Sequence, residues 1–232
     1  MPGSLASAIW YLGTALELTF VVCSFARKSF LRYFFLNFYF LLAIASSLVR
    51  HFTLAQFGFR SGEYMYAYFY TDALLTLALY VALISLYSYV FGELRFSKYL
   101  RLTAVLLLLG TALFSYAVVA QSSDRLTTTR FALELSQNLY FVGLVLTYVL
   151  WGAILKLRET RTQLVQFVLS LGLYFSGYAA SYALGNLASK YSVVYFIAPV
   201  LGCFLPLSWT ITMWRHSDEA RLVPAHLVAV PR

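Results

Sequence analysis

Seven apolar segments, each long enough to cross a bilayer as a helix, recur along this chain with only short connections between them. They run over Leu5–Phe25, Tyr33–Val49, Tyr66–Phe91, Leu102–Ala120, Phe131–Leu155, Leu164–Gly185 and Val193–Trp214. A spanning helix needs about 20 mostly apolar residues, whereas a spanning strand needs about ten of alternating character. The segments have the first pattern. Of the 232 residues, 61% are hydrophobic and 11% charged. A water-soluble domain of this length cannot hide so much apolar surface, because it carries roughly 25% charged residues and keeps much of its area wet. The expected fold is an all-α integral membrane bundle of seven transmembrane helices over residues 1–214, with residues 215–232 as a short, disordered cytoplasmic tail.

The distribution of basic residues sets the expected orientation. Arg27, Lys28 and Arg32 fall in the first connection, Arg95, Lys98 and Arg101 in the third, Lys156, Arg158 and Arg161 in the fifth, and Arg215, Arg221 and Arg232 in the tail. On the opposite side stand only Arg50, Arg60, Arg125, Arg130 and Lys190. The positive-inside rule places the first set in the cytoplasm, the N-terminus outside and the C-terminus inside. The same pattern accounts for the net charge of +8. The basic residues are small groups between spans rather than one patch, which argues against nucleic acid as a partner. The absence of an Asn-x-Ser/Thr sequon and the plain first segment lean toward a multi-pass protein of a bacterial inner membrane. The expected partners are the lipid bilayer and either a cytoplasmic protein or a second copy of the chain.

Ionisable residues inside spans are costly, about 2.5–3.5 kcal/mol at the centre for Asp, Lys or Arg, and therefore mark candidate sites. Glu17 is the deepest, about 12 Å into the hydrocarbon when counted from the cytoplasmic end at 1.5 Å per residue. It reads either as a proton- or ligand-binding group or as a carboxyl that joins helices by hydrogen bonds. Asn37, Ser170 and Ser208 lie at similar depth and are its candidate partners. Asp72 and Glu134 lie near the outer boundary, with Asn138 one turn below Glu134 on the same face. Together with Arg50 they form either the mouth of an outward-facing cavity or an ordinary set of helix-end charges, with the acids placed at N-termini where the helix dipole favours them.

Tyr174, Tyr178 and Tyr182 recur every four residues, beside Gly177, Ser181 and Gly185, a seam of small residues that permits close helix approach. The sixth segment is expected near the centre of the bundle, with Tyr178 and Tyr182 as pocket candidates or as packing. Tyr64, Tyr66, Tyr68 and Tyr70 read as an interfacial aromatic belt. In the last segment Pro199 and Pro206 each remove a backbone donor and disturb the carbonyl four residues earlier, giving a hinge or a static kink.

Other chemistries lack their residues. Cys23 and Cys203 both fall within spans, without metal-ligand spacing. No zinc-protease, nucleophile-elbow, phosphate-loop or dinucleotide signature occurs, and no cofactor is implied. A retinal protein needs a lysine in the last helix, and Val193–Trp214 has none. "ALEL" occurs at Ala15–Leu18 and Ala132–Leu135, but its two glutamates lie at different depths, so it is no repeat. The expected role is a non-enzymatic sensor or scaffold module with an outward-facing polar pocket, the alternative being a proton-coupled small-molecule transporter.

Overall fold

The computed structural model describes residues 4–59, 61–91, 97–120, 127–157, 161–187 and 194–215. They form seven helices: α1 (Ser4–Ala26), α2 (Phe34–Phe57), α3 (Gly62–Val90), α4 (Ser97–Ala120), α5 (Thr127–Leu157), α6 (Thr162–Leu187) and α7 (Val194–Arg215). Each expected segment is a helix. Among the described residues, the helices of α1, α2, α3, α5 and α6 are long and apolar enough to cross a membrane. The tail beyond Arg215 lies outside the described residues.

The helix ends follow local chemistry. The segment expected to end at Val49 continues to Phe57, so much of the connection between the second and third apolar segments is helical. His51, Thr53 and Gln56 are polar enough to resemble a loop, yet the Thr53 hydroxyl donates to the Val49 carbonyl at 2.9 Å and the turn stays helical. Gly58, at φ 79°, stops α2 while its N–H still donates to the Leu54 carbonyl; a side chain is unfavourable at that backbone angle. Ser61 then caps α3, its hydroxyl accepting the Tyr64 N–H at 3.1 Å, and Glu63 in the first turn suits the positive end of the helix dipole.

Six helices close into a ring in the order α1, α2, α3, α5, α6, α7, with α7 returning to α1; α4 packs outside, on α5 and lightly on α3. Close approaches occur at two glycines. A Cβ on Gly143 would meet three atoms of the Phe175 ring at 2.8 Å or less, and one on Gly177 would lie 2.6 Å from Leu201 Cδ1. Gly177, one residue of the α6 seam, thus lies close to α7, and α6 sits between α5 and α7.

The ring is filled unevenly. Towards the end where α1 finishes, Phe20, Phe40, Phe167 and Trp209 interlock, all 0–1% exposed. Phe20 and Phe40 have centroids 4.7 Å apart, and Trp209 lies 5.5 Å from both Phe40 and Phe167. Leu79, Leu83, Leu86, Leu150 and Leu171 complete this dense half. The other half, where α1 begins and α2 ends, holds a cavity. Outside the ring, Leu12, Leu18, Phe35, Leu106, Leu113 and Val145 stand exposed among many other large apolar side chains. That much exposed apolar surface suits lipid rather than water.

Candidate ligand-binding cavity

The cavity has a volume of about 270 Å³ and is walled by all six ring helices. Helices α1, α2 and α7 each contribute a stripe. On α1 the stripe is Trp10, Gly13, Thr14 and Glu17; on α2 it is Tyr39, Ala43, Ser46, Ser47 and Arg50. On α7 it is Pro199, Gly202, Cys203 and Pro206, while Tyr68 and Asp72 face in from α3, Tyr140 from α5, and Tyr174 and Tyr178 from α6. Steps of three and four residues keep such a set on one helix face. Gly13 lets α1 approach α7: a Cβ there would touch Cys203 Sγ at 3.6 Å. Cys203 itself remains a free thiol and donates to the Ile9 carbonyl at 3.6 Å.

Arg50 is held at the upper wall by several contacts. Its Nε donates to Thr71 Oγ1 at 2.7 Å and its Nη2 to the Tyr68 carbonyl at 3.3 Å. The guanidinium also lies 4.4 Å from the Tyr68 ring centroid and 4.0 Å from Asp72 Oδ1. Arg50 and Asp72 are each about one-fifth exposed, so this pair is neither fully solvated nor sealed. A second hollow of about 240 Å³ shares Trp10, Arg50 and Tyr68 with the cavity and extends past His51, Leu54 and Tyr64 toward the end of α2. His51 stacks on Trp10 there, with centroids 5.1 Å apart.

Glu17 lies one helical step above the aromatic plug. Its Oε2 is buried and receives no hydrogen bond from any described residue. The candidate partners named from the sequence are engaged elsewhere. Asn37 donates from Nδ2 to the Tyr33 and Phe30 carbonyls at 3.0 and 3.3 Å, while Ser170 and Ser208 bond one another at 2.5 Å.

A tyrosine cluster forms the wall opposite. Tyr140 stacks on Tyr178 and packs against Tyr174 and Tyr182, with centroids 6.5 and 5.7 Å away respectively. The hydroxyls of Tyr39 and Tyr174 meet at 3.5 Å across the ring, joining α2 to α6. The tyrosine ladder of α6 therefore does point inward, and Tyr182 backs the cluster without lining the cavity.

The structure joins residues that the sequence placed in separate groups: Glu17, Arg50, Asp72, Tyr178, Pro199 and Pro206 share one cavity. Glu134 is half-buried on α5 and Asn138 donates to Ser115 Oγ of α4 at 2.9 Å; neither lines it. Trp10, Tyr39, Tyr140 and Cys203 were not singled out for a site by sequence reasoning, although the stripes on α1, α2 and α7 carry a readable three-four spacing. Helix α7 stays α-helical through both prolines. No group of three metal-ligating side chains occurs among the described residues.

Comparison with protein-family models, with curated proteins and with solved structures returns no match.

Proposed function

We propose that the chain is a multi-pass protein of a cell membrane, with seven spans, its N-terminus outside and its C-terminus in the cytoplasm, that binds a small polar molecule from outside and passes the signal to another protein. The observation that carries this reading is the uneven filling of the ring. A polar, charged cavity occupies the half that the basic-residue pattern assigns to the outside, and an aromatic plug closes the half beneath it. Pockets with a few convergent polar groups among apolar and aromatic walls are the usual form of small-molecule sites. The short connections leave no room for an output domain within residues 1–214, so a cytoplasmic protein or a second copy of the chain is the partner. A bacterial inner membrane suits the absence of sequons.

The test is native mass spectrometry of the protein released from gentle detergent. Wild type is expected to carry a small-molecule adduct that Ser47→Trp, which fills the cavity, loses. Identical spectra from the two proteins would refute the binding reading.

One observation favours a second reading, a proton-coupled transporter: Glu17, with an unpartnered oxygen, shares its cavity with Pro199 and Pro206 of α7. Prolines in spanning helices are common where transporters bend around their cargo. Transport then requires the Phe20–Phe40–Phe167–Trp209 plug to open. Glu17→Gln is expected to abolish proton-coupled uptake in proteoliposomes under this reading, and unchanged flux removes it.

A further inference from the structure

We infer, resting on the reading of the cavity as a binding site, that its ligand is a small cationic amine whose N–H groups or positive charge meet Glu17. Three charged side chains line the cavity: Glu17, Asp72 and Arg50. Arg50 and Asp72 face each other at 4.0 Å, and two of the guanidinium nitrogens already donate to Thr71 and the Tyr68 carbonyl. That pair largely cancels, and an anionic ligand would have to break it. Oε2 of Glu17 remains buried without a hydrogen-bonding partner among the described residues, and the cavity's one lining cation, Arg50, is already committed to Asp72, Thr71 and Tyr68.

Two polar groups beside Glu17 on the cavity wall have no proton to give it. The Thr14 hydroxyl spends its proton on the Trp10 carbonyl at 3.2 Å. Pro206 has no N–H to give the Gly202 carbonyl, and both residues line the cavity. A buried carboxylate oxygen with no donor is expensive, and a protonated amine brings the donors it lacks. The tyrosine rings on the opposite wall add a favourable environment for positive charge. The 270 Å³ cavity far exceeds the space that one water needs and has room for a small amine.

The experiment uses the purified full chain in detergent, read by thermal melting and titration calorimetry. The probes are butylamine, benzylamine and choline, set against butanol and benzyl alcohol as neutral counterparts and butyrate and benzoate as anionic ones. The amines are expected to raise the melting temperature and to bind, and their neutral and anionic counterparts to do neither. Glu17→Gln should weaken amine binding by about tenfold or more, the scale of a lost charged hydrogen bond. Should that variant fail to fold, Glu17→Asp, which withdraws the carboxyl by one methylene, serves instead and is expected to weaken binding too. Equal binding of amine and alcohol, or amine binding indifferent to Glu17, overturns the inference. Anion binding that Ser47→Trp abolishes also overturns it, while leaving the cavity as a binding site. No binding by any probe, together with no adduct in the native mass spectrum, refutes both; an adduct that is not an amine refutes this inference alone.

Discussion

Tyr140 of α5 and Tyr178 of α6 lie face to face, with ring centroids 4.6 Å apart and planes 7° from parallel. The pair fixes one wall of the cavity, because Tyr174 packs on Tyr178 at 4.7 Å and reaches across to Tyr39 of α2. Offset aromatic pairs contribute about 0.5–1.5 kcal/mol beyond the area they bury. A double-mutant cycle with Tyr140→Leu and Tyr178→Leu, followed by unfolding in mixed micelles, should give a coupling energy in that range. Additive single variants would mean that the rings pack without specific interaction.

Arg50 should not tolerate replacement by lysine. The guanidinium serves Thr71, the Tyr68 carbonyl, the Tyr68 ring and Asp72 at once. An ammonium cannot reproduce that fork. Arg50→Lys is expected to destabilise the protein by about 1–3 kcal/mol, the worth of hydrogen bonds to a charged group. A variant as stable as wild type would show that these contacts carry no weight.

The two close-packed glycines should differ in sensitivity. An added methyl at Gly143 meets the buried, rigid ring of Phe175, whereas at Gly177 it meets the mobile ends of Leu201. Overpacking costs about 1–3 kcal/mol where neighbours cannot move. Gly143→Ala is therefore expected to fall in that range and Gly177→Ala below it. The reverse order of melting temperatures would contradict the packing between α5, α6 and α7.

Helix α4 lies outside the ring, and one polar contact helps to seat it: Asn138 of α5 donates to the fully buried Ser115 at 2.9 Å. Asn138→Leu leaves that hydroxyl without its donor, a loss of about 1 kcal/mol. Hydrogen exchange should rise in α4 and stay unchanged in α1 and α2. A uniform rise would mean that α4 is integral to the ring.

The helices were legible because a long unbroken apolar run admits one economical solution in a bilayer, and Tyr66–Phe91 or Phe131–Leu155 declare themselves by length alone. Helix ends were less so. The polar residues after Arg50 look like a loop, but that part of α2 continues as helix and Arg50 reaches α3 from it. The cavity was legible only in pieces. Glu17, measured from the end where α1 finishes, reads as buried in the hydrocarbon, while Asp72 and Arg50, measured from the other end, read as a rim. Only the ring order shows that one space joins them, because the exclusion of α4 brings α3 against α5. No residue in α4 announces that exclusion. Tyr140 was hidden for the same reason: an isolated tyrosine in an apolar helix has no pattern until α6 supplies Tyr174 and Tyr178 beside it.

Thiol accessibility tests the central claim, an externally accessible cavity, most directly. In a background with Cys23→Ser and Cys203→Ser, Ser47→Cys places a single thiol on the cavity wall. A membrane-impermeant thiol reagent added outside intact cells is expected to label it, and benzylamine to slow that labelling. Labelling only after the cells are opened would reverse the orientation of the cavity, and no labelling in either case would mean that water does not reach it, contradicting the account.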